Sequence, residues 1–312
     1  MKYLSNKASI CLIIVIYFIY YGYYNYNRIT NFATRTIKHL NPVIEDISLV
    51  EYDHLLEDKR NGDILNTVHE TISRNIFQAF IGRGNMIPLE IQNNIDFLKK
   101  NNPSWKYYLI TDNNIDDWLK KINDKKYEKL YHEISDDYPA AKIDLLRYLL
   151  MKYFGGVYMD IKSTSKRSLD DVISEGTSPG KILVFKWCAF VSPILKLCYW
   201  RRGERKYAEE IVQWLLIYPR EHHFIDEVLN NIYKKAEYYK NNKNVKQDVY
   251  AFTGPDIYTD TIVKLFTENN VTIYNCYVDL EFEYNCLKYE HSRYSKKNHY
   301  TENMAKNVKI IS

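Results

Sequence analysis

The sequence predicts an α/β fold with parallel strand pairing, set behind an N-terminal membrane-spanning helix. Three observations carry this expectation. From Arg74 onward, strand-like runs alternate with helical periods at short spacing, the order that builds parallel sheets. The stretch from Ala140 to Lys162 joins a helical period through Gly155-Gly156 to a short strand that ends on a carboxylate. No charged residue occurs between Ala8 and Asn27, and about 20 such residues span a bilayer as a helix.

The chain has 312 residues, enough for one α/β domain or two smaller ones. Hydrophobic residues make up 46% and charged residues 26%, as in ordinary globular proteins. The formal charge of +4 is small and its signs are interspersed, which argues against nucleic acid as a partner. Of the five cysteines, Cys11 lies in the apolar leader, and Cys188, Cys198, Cys276 and Cys286 form no C-x-x-C pair. Disulfides in an oxidising compartment and buried free thiols both remain open for these four.

Residues 1–27 form an anchor module. Lys2 and Lys7 precede the apolar run, and Tyr20, Tyr21, Tyr23 and Tyr24 cluster at its far end, where aromatic rings favour the headgroup region. No small-residue cleavage site follows, so an uncleaved anchor is expected. The expected topology is single-pass type II, with the body lumenal or extracellular. The Asn270-Val271-Thr272 sequon would then be open to glycosylation. Residues 28–73 are polar and lack a strong period, as in a stem, and residues 74–312 form the globular domain.

Within that domain, Arg74–Phe80 is the first strand. Pro88–Lys100 is a helix with Ile91, Ile95 and Leu98 on its apolar face. Asn101-Asn102-Pro103-Ser104 is a turn, and Lys106–Thr111 is the second strand. Asp112 stands in position to cap the helix around Trp118. Pro139 suits the first turn of the next helix. Its apolar face carries Ile143, Leu146, Leu150 and Tyr153, and a different stripe carries Asp144, Arg147 and Met151. Gly155-Gly156 ends this helix. The strand Val157–Ile161 then places Tyr158, Asp160 and Lys162 on one side. Further strands are expected at Lys181–Lys186 and Val271–Tyr274. A long helix is expected from about Glu221 to Lys240, with His222-His223 as its solvated start. Thr253-Gly254-Pro255-Asp256 opens another, carrying Ile257, Ile262, Leu265 and Phe266.

A carboxylate at the carboxyl end of a strand in an open α/β sheet sits where ligands bind. A lone aspartate there suits a hard divalent cation, and Asp144 with Arg147 suits ribose hydroxyls or a base edge. The G-x-G-x-x-G, G-x-x-x-x-G-K-[ST], G-x-S-x-G and H-E-x-x-H patterns are all missing from the sequence. Taken singly, the charged residues of this unit are equally compatible with surface ion pairs.

The ordered set resembles the family 32 glycosyltransferases with a DXD sugar-binding region. Ile76-Phe77-Gln78-Ala79-Phe80-Ile81-Gly82 resembles their opening strand, and Asn102-Pro103-Ser104-Trp105 resembles their NP turn. Asp144-Leu145-Leu146-Arg147, Gly155-Gly156-Val157-Tyr158-Met159-Asp160 and Thr253-Gly254-Pro255 follow in the family order. The resemblance implies a GT-A-like, Rossmann-type mixed sheet flanked by helices. It implies Phe80, Asp144, Arg147, Gly156 and Tyr158 as donor-binding residues, with Phe80 stacking on the nucleotide base. It also implies Asp160 as catalytic and as a metal ligand, with His299 as the carboxy-terminal ligand for Mn²⁺ or Mg²⁺. The partners implied are a UDP- or GDP-linked sugar, a glycan, glycolipid or protein acceptor, and the membrane through residues 8–27. The family's second DXD acid is Lys162 here. Either Lys162 binds phosphate directly, or one acid suffices for the metal, or the protein is a catalytically weak interaction protein on a transferase fold.

Overall fold

The computed structural model describes residues 72–83, 86–176, 182–186, 210–265, 271–275, 281–284 and 300–312. The anchor at residues 8–27, nearly all of the stem, the five cysteines, Asn270 of the sequon, Phe266 and His299 lie outside these residues. Among the described residues, no helix is long and apolar enough to cross a membrane.

The architecture is a mixed α/β sheet. Strands β1 (Asn75–Phe80), β2 (Lys106–Thr111) and β3 (Gly156–Met159) form one side of it. Helices α1 (Leu89–Asn101), α2 (Ile115–Ile122), α3 (Lys125–Glu133) and α4 (Pro139–Phe154) connect them. After β3 come a two-residue strand β4 (Thr164–Ser165), helix α5 (Leu169–Gly176) and β5 (Ile182–Lys186). Then β6 (Leu215–Tyr218), α6 (His223–Asn241), α7 (Val249–Phe252), α8 (Pro255–Leu265) and β7 (Val271–Asn275) follow, with β8 (Phe282–Glu283) and α9 (Tyr300–Ala305) near the end. The six-stranded order is β2-β1-β3-β6-β5-β7, and β4 pairs with β8 separately.

Pairing of β1 with β2 and β3, and of β5 with β7, is parallel, as the strand–helix alternation implied. The sheet is mixed, as the resemblance implied, through β6, a strand the sequence reading did not place, which runs antiparallel to both β3 and β5. Its sequence, Leu-Leu-Ile-Tyr, is apolar on both faces and gives no alternation from which to read a direction.

Side chains alternate across the sheet. Phe77, Ala79, Tyr158, Leu216 and Tyr218 enter one apolar layer with α4 and α6. Ile76, Phe80, Val157, Met159, Leu215 and Ile217 enter the other with α1 and α5. The period of two thus feeds two buried cores. Phe77 stacks on Tyr108 at 5.3 Å and meets Trp118 edge-on at 5.7 Å.

Helix α4 is not amphipathic in its setting. Beside Leu146 and Leu150 it buries Asp144, Arg147, Leu145, Tyr148, Leu149 and Met151, while Ile143 and Tyr153 are only partly covered. It lies between the sheet and α6, so the charged stripe faces protein and not water. Asp112 does not cap α2. Its carboxylate accepts the Gly82 amide at 2.9 and 3.0 Å, and Asn114 precedes α2, accepting from the Thr111 amide at 2.8 Å. Asn102 of the NP turn is structural. Its Nδ2 donates to Leu98 O at 2.8 Å and its Oδ1 accepts from the Leu169 amide at 2.7 Å, tying α1 to α5.

Gly156 has φ +108°, and a Cβ there would stand 2.5 Å from the Asn75 carbonyl oxygen. The β3 backbone therefore passes β1 closer than any side chain allows. Gly156→Ala is expected to cost about 2–4 kcal/mol, combining the φ strain with the steric overlap. A denaturant midpoint that translates to less than about 0.5 kcal/mol would refute this.

Candidate active site

The carboxyl ends of β1, β2 and β3, at Phe80, Thr111 and Met159, open at one edge of the sheet. Because β6 is antiparallel, its leading residues Gln213 and Trp214 arrive at that same edge. Asp160, just past β3, is held there by its amide, which donates to Trp214 O at 2.9 Å.

Arg147 is the centre of the cluster. From α4, its guanidinium reaches Asp144 Oδ1 at 2.8 Å, Asp160 Oδ1 at 3.0 Å and Gln213 O at 3.0 Å. It also lies over the Tyr158 ring, 4.9 Å from the centroid, and Tyr158 donates its hydroxyl to Asp160 Oδ1 at 3.1 Å. A planar fork suits this three-way bridge, which a lysine could not make. The Arg147 Nε is buried without a hydrogen-bond partner.

Asp144 is enclosed more fully. Gln213 Nε2 donates to its Oδ1 and Thr253 Oγ1 to its Oδ2, both at 3.3 Å. Tyr148 in turn donates to Gln213 Oε1 and, at 3.3 Å, to Thr253 O. Side-chain exposure falls from 19% at Asp160 to 8% at Asp144 and 5% at Arg147. Asp160 is thus the member of the triad that meets solvent. Its Oδ2 accepts no hydrogen bond among the described residues.

Burial raises the Asp144 carboxyl to about 7; Arg147 opposes this, Asp160 adds to it, and the Thr253 and Gln213 bonds oppose it. Burial also works against the charge on Arg147, but Tyr158, Asp160 and Asp144 outweigh it, so the guanidinium stays protonated. The Tyr158 hydroxyl is pushed well up, chiefly by burial, and so remains a donor. Linkage fixes the sign for Asp144. Between the unfolded value near 4 and about 7 the folded state binds the extra proton, so stability falls as pH rises through that window. Asp144→Asn is expected to flatten this slope, measured as thermal midpoints from pH 4 to 8. An unchanged slope would count against it.

The structure brings Asp144, Arg147, Tyr158 and Asp160 together and leaves other expected residues apart. Gly156 stands at the amino end of β3, away from Asp160, where its part is the close approach to β1. Lys162 is not on a strand with Asp160. The strand stops at Met159, and a turn closed by Ser163 N donating to Asp160 O at 2.8 Å carries Lys162 aside. There its ammonium lies 4.3 Å from the centroid of the Tyr284 ring, which itself packs on Trp214. Phe80 is fully buried, with the Arg83 guanidinium 5.8 Å from its ring centroid. His222 caps α6, accepting from the Phe224 amide at 3.3 Å, which fits a helix start.

Gln213 and Thr253 were not anticipated as partners of Asp144. Thr253-Gly254-Pro255 was visible as a motif, but Gln213 lies 69 residues from Asp144 with no local signal.

Among the described residues, no group of three His, Cys, Asp or Glu side chains could hold a metal ion. The donor set is one carboxylate oxygen without a hydrogen bond among the described residues, Asp160 Oδ2, on a side chain 19% exposed. That fits Mg²⁺ or Mn²⁺, which complete their shells with water and substrate oxygens rather than protein cages.

Residues 88–179 match the family described as "Glycosyltransferase sugar-binding region containing DXD motif". The chain is similar to the initiation-specific alpha-1,6-mannosyltransferase of Candida albicans, 25% identical over 197 residues, 54% of this chain and 46% of that one. It is also similar to inositol phosphoceramide mannosyltransferase 1 of Schizosaccharomyces pombe, 29% identical over 111 residues, 35% of this chain and 33% of that one. The chain thus spans less than half the length of these curated relatives. Among solved structures, the PaToxG glycosyltransferase overlaps with a TM-score of 0.45 at 19% identity, covering 62% of this chain and 70% of that one. The UDP-bound glycosyltransferase domain of the YGT toxin overlaps with a TM-score of 0.43 at 8% identity, covering 76% and 89%. Asp144, Arg147, Tyr158, Asp160 and Lys162 all fall inside the segment that matches this family's description.

Proposed function

We propose that the protein is a membrane-anchored, GT-A-like glycosyltransferase. It moves a hexose-type sugar from a UDP- or GDP-linked donor to a glycan, glycolipid or protein acceptor. The observation that carries this is the Arg147 bridge between Asp144 and Asp160, at the carboxyl edge of the sheet and inside the matched segment. Residues 8–27 supply the anchor, with the body lumenal or extracellular.

In this reading Tyr158 and Arg147 occupy Asp160 Oδ1 and leave Oδ2 turned towards the donor. Asp160 is the residue that would hold Mn²⁺ or Mg²⁺, and such a cation supplies charge neutralisation to the departing diphosphate. His299 is a further candidate ligand. The Gln213 and Thr253 bonds to Asp144 are at the long limit, 3.3 Å, so donor hydroxyls can replace them while the 2.8 Å Arg147 contact stays. Phe80 offers its ring to the base once Arg83 moves aside. Lys162 stands two residues from Asp160 and adds positive charge for phosphate.

The step we favour is retaining, with front-face attack. The acceptor oxygen bonds to the anomeric carbon as the carbon–oxygen bond to the diphosphate breaks, and the hydroxyl proton passes to the departing phosphate oxygen. This reading gives Asp144 to the donor hydroxyls and Asp160 to the cation, so neither carboxylate is assigned as a nucleophile. The test is donor hydrolysis by the full chain in detergent, across UDP- and GDP-linked sugars, with Mn²⁺ and with EDTA. Release of one nucleoside diphosphate, lost in EDTA, is expected. Release unchanged by EDTA would overturn the metal. No turnover and no UDP or GDP binding would favour an interaction protein on this fold, a reading that Lys162 in place of the second acid supports.

A further inference from the structure

We infer that Gln78 is a positioning residue for Asp160, acting through the backbone of the turn that carries it. The inference rests on the donor-site reading of Asp160. Parallel pairing between β1 and β3 ends at Phe77 and Tyr158, while pairing of β1 with β2 continues to Phe80 and Thr111. Beyond Phe77 the main-chain ladder between the two strands ends, just before Asp160. The backbone there has lost its ladder to β1; Asp160 N still donates to Trp214 O and Asp160 O accepts from Ser163 N, which leaves the β1 side of the turn without main-chain bonds.

Gln78 supplies one from its side chain. It points to the α1 side of the sheet, fully buried, and its Nε2 donates to Asp160 O at 3.1 Å and Ser163 O at 3.4 Å. Asn94 on α1 adds a bond to Ser163 O at 3.0 Å. The Gln78 amide is itself oriented, because Oε1 accepts from the Tyr107 hydroxyl on β2 at 2.7 Å. That bond fixes which end of the amide faces the turn. Two elements, β1 and α1, thus grip the Asp160–Ser163 turn from one side, with β2 orienting the Gln78 amide, while Arg147 and Tyr158 grip the carboxylate. Apart from the Asp160 amide on Trp214 O and the Ser163 amide on Asp160 O, the turn's own hydroxyls add nothing, for those of Ser163 and Thr164 are buried without partners. A shift of the turn would move Asp160 Oδ2, and an error of about 1 Å at a reacting group can cost a hundredfold in rate.

Gln78→Met keeps the size and removes the three bonds that Gln78 makes, leaving that of Asn94. Hydrogen exchange on the full chain in detergent, read on peptides covering residues 156–166, should quicken about tenfold, with α4 unchanged. In the same preparations, kcat for hydrolysis of UDP-glucose or GDP-mannose should fall about tenfold or more, with KM nearly constant. Asn94→Ala, which removes one bond only, should move both readouts the same way and less, and it decides the matter if Gln78→Met does not fold. Wild-type exchange in the turn would overturn the inference. So would faster exchange with unchanged kcat, or a rise in KM alone. If the wild type hydrolyses neither donor, the transferase reading is what suffers, and the exchange result alone decides whether Gln78 holds the turn.

Discussion

Replacing Arg147 with methionine is expected to destabilise the protein by about 3–5 kcal/mol, the usual cost of removing one partner from a buried charge cluster. Methionine keeps most of the apolar stem, so packing changes little. What is lost is the only cation that touches both Asp144 and Asp160 among the described residues, together with the donor to Gln213 O. Two carboxylates then face each other across a buried space, and protonation of one becomes the cheapest relief. The loss should therefore shrink at low pH. Arg147→Lys should fall between, since one ammonium cannot reach Asp144, Asp160 and Gln213 O together. Asp144→Asn on the Arg147→Met background should recover part of the stability, measurable as a coupling in a double-mutant cycle. A loss below about 1 kcal/mol would show that water already screens the triad.

Much of this was legible in the sequence because it was local. The strand Lys106–Thr111 and the helix over Ile91, Ile95 and Leu98 follow directly from period and turn residues. Pro139 opens α4 and Gly155 closes it, as their backbone preferences require. The site was legible where one helix and one strand deliver it, so Asp144, Arg147, Tyr158 and Asp160 converge as expected. Failures came where distant chain decides. Helix α4 shows one apolar face in sequence, yet packing on all sides buries its charged stripe, which only an ion pair makes tolerable. Extending the strand period to Lys162 failed because Ser163 closes a turn on Asp160. Nothing near Gly156 reveals that it is needed for the Asn75 carbonyl, since that contact crosses 81 residues of chain. The Asn102 and Gly156 positions of the resemblance are thereby explained by backbone packing, and the Asp144 and Arg147 positions by charge.

Asp160→Asn is expected to lower donor hydrolysis about 10²- to 10³-fold while leaving stability within about 1 kcal/mol, and the structure says why the two should separate. The two hydrogen bonds to the Asp160 carboxylate both end on Oδ1, from Arg147 at 3.0 Å and Tyr158 at 3.1 Å. An asparagine can keep its carbonyl oxygen in that position and satisfy both donors. Its NH₂ then occupies the Oδ2 position, where a negative oxygen has become two N–H donors. The fold keeps its hydrogen bonds, with Arg147 still paired to Asp144 at 2.8 Å. The donor side loses its anionic oxygen, and with it the means to hold a divalent cation. Asp160→Ala is a poorer experiment, because it also strips Arg147 and Tyr158 of their acceptor and mixes a folding cost into the rate. Equal losses of stability and turnover in Asp160→Asn would mean that the carboxylate serves the fold. Turnover lost at constant stability, and with it the response to Mn²⁺, would place that one oxygen in the reaction.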